Sequence, residues 1–241
     1  WIQAPATPAL DLTRKVTVEA WINPAPFRQT WTPVFFKGDG NYQQRSYALW
    51  LNANGSVLLS TGDGSEQYFQ TPPGLITPGT WQHVAGVIDR DAGTMRIVID
   101  GVAVPLALGT ATVRTNDATN AASPLLIGAS IENFLPFAGR LDEVRVWNVA
   151  RSTADIAAVR NAALTGSEAG LVLNYRLDDS GTTVTVADAG PGGRNGFVAG
   201  YGGGLPDVVQ GRIAVPGQAV VYTLDVTQTR TVVFDSLAET N

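Results

Sequence analysis

The side chains able to do chemistry are few. The chain holds no Cys and a single His, His83. Disulfides, Cys-ligated zinc and multi-His metal sites are thereby excluded, and at most one imidazole could act as a base. Hydrolysis of a glycosidic bond needs two carboxylates converging on that bond. Alternate residues of a strand share a face, and adjacent ones do not. Asp142 and Glu143 are adjacent, and Glu19 stands alone in its run. His83 lies in a strand-like run, where a packed structural imidazole is the commoner use. No catalytic set emerges, so the expectation is a chain that is not an enzyme.

Recognition is the second chemistry. Sugars are held by aromatic rings against their apolar C–H faces, while Asn, Asp, Gln and Arg fix hydroxyls. Several polar loops combine these types. Loop 27–33 offers Trp31, and loop 41–45 offers Tyr42, Gln43 and Arg45. Loop 66–69 offers Tyr68 and Phe69, and loop 131–137 offers Asn133, Phe134 and Phe137. The ligand-binding candidates are Trp31, Tyr42, Gln43, Arg45, Asn133 and Phe134. Each aromatic has a packing alternative, as a plug at the end of a β-sandwich. Trp31 and Tyr42 are favoured for exposure, because an aromatic in a polar loop needs a reason.

The elements that must position these residues are strands. Strand-like runs at 15–23, 33–36, 46–52, 56–61, 81–89, 94–99, 125–127, 142–148 and 171–177 alternate with turn signals. Asn54-Gly55 and Asp100-Gly101 are hairpin turns. In 15–23, Glu19 and Trp21 share one parity, and Val16, Val18 and Ala20 share the other. One helix reads clearly: Ser152 as N-cap, Asp155 at N3, Ile156 and Val159 on one face, ending near Asn161.

With 241 residues and 44% hydrophobic content, a sizeable core can be buried. The net charge of −5 lacks the basic footprint that phosphate binding requires, so no nucleic-acid partner is expected. Apolar runs are too short for a membrane-spanning helix, and no membrane insertion is expected.

Four ordered blocks then carry a family resemblance. They are Val16-Thr17-Val18-Glu19-Ala20-Trp21-Ile22-Asn23-Pro24; Val34-Phe35-Phe36-Lys37-Gly38-Asp39 with Tyr47-Ala48-Leu49-Trp50-Leu51; Trp81-Gln82-His83-Val84-Ala85-Gly86-Val87-Ile88-Asp89 with Met95-Arg96-Ile97-Val98-Ile99-Asp100-Gly101; and Phe137-Ala138-Gly139-Arg140-Leu141-Asp142-Glu143-Val144-Arg145-Val146-Trp147-Asn148. This pattern resembles laminin-G-like domains of the concanavalin A-like lectin/glucanase superfamily, in a bacterial multidomain surface or secreted protein.

The resemblance implies an all-β, two-sheet antiparallel jelly-roll sandwich with one short helix and a short C-terminal β tail. It implies structural roles for Trp21, Trp50, Trp81 and Trp147. The Glu-x-Asp-x-Glu triplet of related glucanases is absent. The family's opening strand is also absent before Trp1, which implies an exposed sheet edge there.

The superfamily's structural calcium implies Asp142 as a ligand, with Gly38 and Asp39 supplying oxygens from an early loop. The alternative for Asp142 is a strand-end cap paired with Arg140 or Arg145. Loop 188–196 could suit calcium, but its Asn, Asp and Gly residues equally serve turns, and the turn is preferred.

The expected organisation is a jelly-roll domain at 1–165, a strand plus Gly-rich extension packing on it at 166–204, and a β-rich tail at 205–241. The tail either starts a further module or docks its strands elsewhere. The expected role is a non-catalytic extracellular or cell-surface binding and adhesion module. Its expected partner is a glycan or cell-surface polysaccharide, perceived with help from structural calcium. Two alternatives stay open: a subunit of a surface layer or filament that exchanges strands with neighbouring copies, and an ancillary domain of a secreted glycan-degrading enzyme.

Overall fold

The computed structural model describes residues 1–116, 118–132, 134–178 and 184–199. In chain order the strands begin with β1 (Ile2–Ala4), β2 (Lys15–Pro24), β3 (Trp31–Gly38), β4 (Arg45–Asn52), β5 (Val57–Gly62) and β6 (Glu66–Gln70). Next come β7 (Gln82–Asp89), β8 (Thr94–Ile99), β9 (Val102–Ala103), β10 (Leu108–Gly109), β11 (Leu125–Ile127) and β12 (Gly139–Trp147). Helix α1 (Thr153–Val159) precedes β13 (Leu171–Tyr175), β14 (Thr185–Val186) and β15 (Gly196–Val198).

Two antiparallel sheets form. The nine-stranded sheet has the order β10-β6-β5-β4-β3-β11-β1-β15-β14, and the six-stranded sheet β13-β12-β2-β7-β8-β9. Alternation decides what each strand buries. Val16, Val18, Ala20 and Ile22 of β2 meet Tyr47, Leu49 and Leu51 of β4 in one core between the sheets. Ala48 and Trp50, at the other parity of β4, belong to a second apolar cluster on the outer face of the nine-stranded sheet. Close approach of the sheets requires Gly86 on β7, where a Cβ would lie 2.7 Å from Leu59 Cδ1.

The Asp100-Gly101 turn has positive φ at both positions, 51° and 83°, the geometry that favours these residue types between β8 and β9. Helix α1 begins as the sequence predicts. The Ser152 side chain accepts from the Asp155 N–H, and Ile156 packs on Ala85, Val87 and Val98 of the six-stranded sheet.

Three expectations change. Residues 66–69 are not a loop but most of β6, with Phe69 in the core and Tyr68 on the outer face. The edge expected to be bare at the start of the chain is covered, because β15 pairs with β1 through Ile2–Val198 and Gln3–Phe197. The extension does more than pack on the sandwich: β13 borders the six-stranded sheet, while β14 and β15 extend the nine-stranded one. The tail at 205–241 lies outside the described residues.

Candidate functional site

A cleft of about 480 Å³ opens on the outer face of the nine-stranded sheet. Its floor is Trp50, which β4 presents away from the core. The indole meets Phe134 edge-on at 5.1 Å between ring centroids and Phe36 at 6.0 Å. The Arg45 guanidinium stands 5.0 Å from the same ring, a cation–π contact. Trp31, at the start of β3, and Tyr42, in the turn before β4, flank this floor. Tyr42 is 52% exposed, as an aromatic must be to offer its face to a ligand.

The polar wall is built around Arg45. Its Nη1 donates to Ser60 Oγ at 2.7 Å and to Glu66 Oε1 at 2.8 Å. Its Nε donates to Glu132 Oε1 at 2.9 Å, and its Nη2 donates to Glu132 Oε2. The Glu132 pair is therefore bidentate. Burial raises the Glu66 carboxyl above the ordinary carboxylate range; Arg45 opposes the shift and the charge on Glu132 adds to it.

Four of the residues singled out in the sequence thus converge here: Trp31, Tyr42, Arg45 and Phe134. Gln43 sits beside them, its Nε2 donating to Tyr42 Oη at 3.4 Å. Asn133 lies outside the described residues. Sequence reasoning missed Glu66 and Glu132. It also assigned Trp50 to the sandwich core, whereas Trp50 is buried on the opposite face of the sheet. The signal was available: Tyr47, Leu49 and Leu51 already fill the inward parity of that strand.

The metal candidates are spread over both sheets. Asp142 lies across from Trp21 on the six-stranded sheet, and its Oδ1 accepts from the Glu143 N–H at 2.9 Å beside a bulge. Gly38 ends β3 on the other sheet, and the Asp39 carboxylate accepts from the Asn41 N–H. Asp142 and Gly38 thus stand on strands of different sheets. Among the described residues no group of three or more His, Asp or Glu side chains could share a metal. In loop 188–196, Asp188 accepts backbone N–H groups from Asn174, Gly190 and Arg194, so its carboxylate organises the turn.

His83 is buried on the six-stranded sheet, away from the cleft, edge-on to Trp21 at 5.5 Å. Burial, helped by the charges of Arg145, Arg160 and Arg151, lowers its pKa to about 3, so the ring is neutral at pH 7.

A family model of the concanavalin A-like lectin/glucanases superfamily matches residues 1–157. The chain belongs to that superfamily. No curated protein matches it. Solved structures share the fold of this superfamily member. A candidate carbohydrate binding protein from Bacteroides ovatus is 22% identical with a TM-score of 0.61, over 81% of this chain and 54% of that one. The superfamily member thus spans about half the length of that protein. A heptameric SAP-like pentraxin from Limulus polyphemus is 21% identical with a TM-score of 0.51, over 74% of this chain and 88% of that one. The CBM40 of a Ruminococcus gnavus IT-sialidase, bound to α2,3-sialyllactose, is 13% identical with a TM-score of 0.51, over 66% and 90%. No helix among the described residues is long and apolar enough to cross a membrane.

Proposed function

We propose that this protein is a non-catalytic, extracellular glycan-binding module, and that the cleft over Trp50 is its binding site. One observation carries the reading: two aromatic side chains, Trp31 and Tyr42, flank a polar wall of Arg45, Glu66 and Glu132 in a single cleft. Stacking on the rings supplies apolar contact, and the partly exposed Glu66 carboxylate accepts sugar hydroxyls. The carbohydrate-binding neighbours of the same fold support the reading at the level of architecture. The two glutamates are committed to Arg45 rather than free to divide acid and base roles, which favours binding over hydrolysis. Calcium stays in this proposal as a structural ion, with Asp142, Gly38 and Asp39 as the ligands that the family resemblance implies.

The test is an array of glycans and polysaccharides probed with calcium and again with chelator. Saturable binding that falls at least tenfold in Trp31→Ala and Tyr42→Ala is expected. Binding that both variants retain places the ligand elsewhere. Loss with chelator alone brings calcium into the scaffold. Absence of binding in both conditions ends the glycan reading.

A further inference from the structure

Resting on that glycan-binding reading, the geometry points to a charge filter: we propose that the cleft takes neutral glycans and rejects carboxylated ones. A carboxylated sugar is held in a protein by a cation with free donors, most often an arginine fork. Arg45 is the cation of this cleft, and its fork is already engaged. Of five guanidinium N–H groups, four point at protein acceptors: Ser60, Glu66 and both oxygens of Glu132. The side chain is buried as well, with 8% of its surface exposed, so a ligand meets its partners rather than its charge.

The balance of charge strengthens the point. Among the described residues, Arg45, Glu66 and Glu132 are the charged ones lining the cleft, one positive and two negative. The surplus is anionic, and it sits where Glu66 reaches solvent. A second carboxylate brought there faces like charge in a partly desolvated site, where repulsion is stronger than in water. A neutral sugar meets no such barrier. Its hydroxyls donate to Glu66, and its apolar face lies on Trp31 or Tyr42.

The experiment compares matched probes: lactose, 3′-sialyllactose and the methyl ester of 3′-sialyllactose, with highly esterified polygalacturonate and its de-esterified form. Among probes that bind, the neutral member is expected to bind at least tenfold more tightly than its free acid. Raising salt to about 0.5 M should narrow that ratio, because screening weakens the repulsion. Glu66→Gln should narrow it too, while the salt series on the unaltered protein gives the same information should that variant fold poorly. A free acid bound as tightly as its neutral counterpart overturns the charge filter and leaves glycan binding standing. A ratio insensitive to both salt and Glu66→Gln overturns it as well. Binding of no probe here and no glycan on the array overturns the glycan reading, and the filter with it.

Discussion

Arg45 holds the cleft together by standing between two carboxylates. Its removal would leave Glu66 and Glu132 close together and partly desolvated with no counter-charge. Arg45→Met is therefore expected to lower unfolding free energy by about 3–5 kcal/mol, measured by urea denaturation, as breaking a buried ion pair does. The loss should shrink at acid pH, as Glu66, whose carboxyl burial raises, takes up a proton. His83 makes the second prediction. Its folded pKa of about 3 lies below the ordinary 6.5. The unfolded chain therefore binds the proton more readily, so this contribution to stability is complete above pH 6.5 and is lost as pH falls toward 3. Between pH 7 and 5 the term amounts to about 2 kcal/mol. Glu19 works in the opposite sense, because burial raises its carboxyl and protonation then favours the fold. Comparing urea midpoints of the native protein and His83→Gln at the two pH values isolates the imidazole: the variant should show a flatter profile. An unchanged slope would mean that His83 is not neutral in the fold. At this scale the sequence was half informative. Residue type and loop polarity picked out Trp31 and Tyr42, but the partners of Arg45 come from β6 and from the segment after β11, far apart in the chain. Spacing cannot reveal a triad that only the sheet assembles.

Among the elements, the turn that carries Tyr42 depends on its fit against β5. Gly62 sits beneath it, and a Cβ there would lie 2.4 Å from the Gln43 carbonyl oxygen. Gly62→Ala should displace the turn, weakening glycan binding at least fivefold in isothermal titration and costing about 1–3 kcal/mol of stability, as overpacking does. Helix α1 offers a cleaner case. Ser152→Ala removes the side-chain acceptor for the Asp155 N–H, and a loss of about 1 kcal/mol in urea unfolding is expected, with cleft binding unchanged. These elements differ in how plainly the sequence wrote them. Capping chemistry is local, so the start of α1 at Ser152 was readable, while its end, read near Asn161, falls at Val159. Strands with both faces buried were readable as apolar runs, such as β4. Segment β6 was not, because Glu66-Gln67-Tyr68-Phe69-Gln70 sends just one large apolar side chain into the core and keeps polar groups on the cleft side. The metal set of Asp142, Gly38 and Asp39 came from the family resemblance alone, and the strands of Asp142 and Gly38 belong to different sheets.

For the whole molecule, closure of the sandwich turns on β1. β1 contributes three residues and would be a weak edge by itself. It is sandwiched instead between β11 and β15, with Ile2 in the core beneath both. Residues 184–199, which lie beyond the superfamily match that ends at residue 157, thus protect the edge at β1. Tyr175 ties the same segment to the opposite sheet, its hydroxyl donating to the Arg194 carbonyl at 2.7 Å. Blocking that strand should therefore act on the sandwich as a unit rather than fray one end. Phe197→Pro cannot keep the φ and N–H that pairing with Gln3 uses. Its melting temperature should fall by roughly 5–12 °C, equivalent to about 3 kcal/mol for a chain of this size. The uncovered edge should also promote self-association, visible as a mass above monomer in light scattering. The cleft lies across β11 and β3 from that edge, so glycan affinity measured below the transition should change less than twofold. A variant that melts like the native protein would show that β15 is dispensable and that β1 closes the sheet unaided.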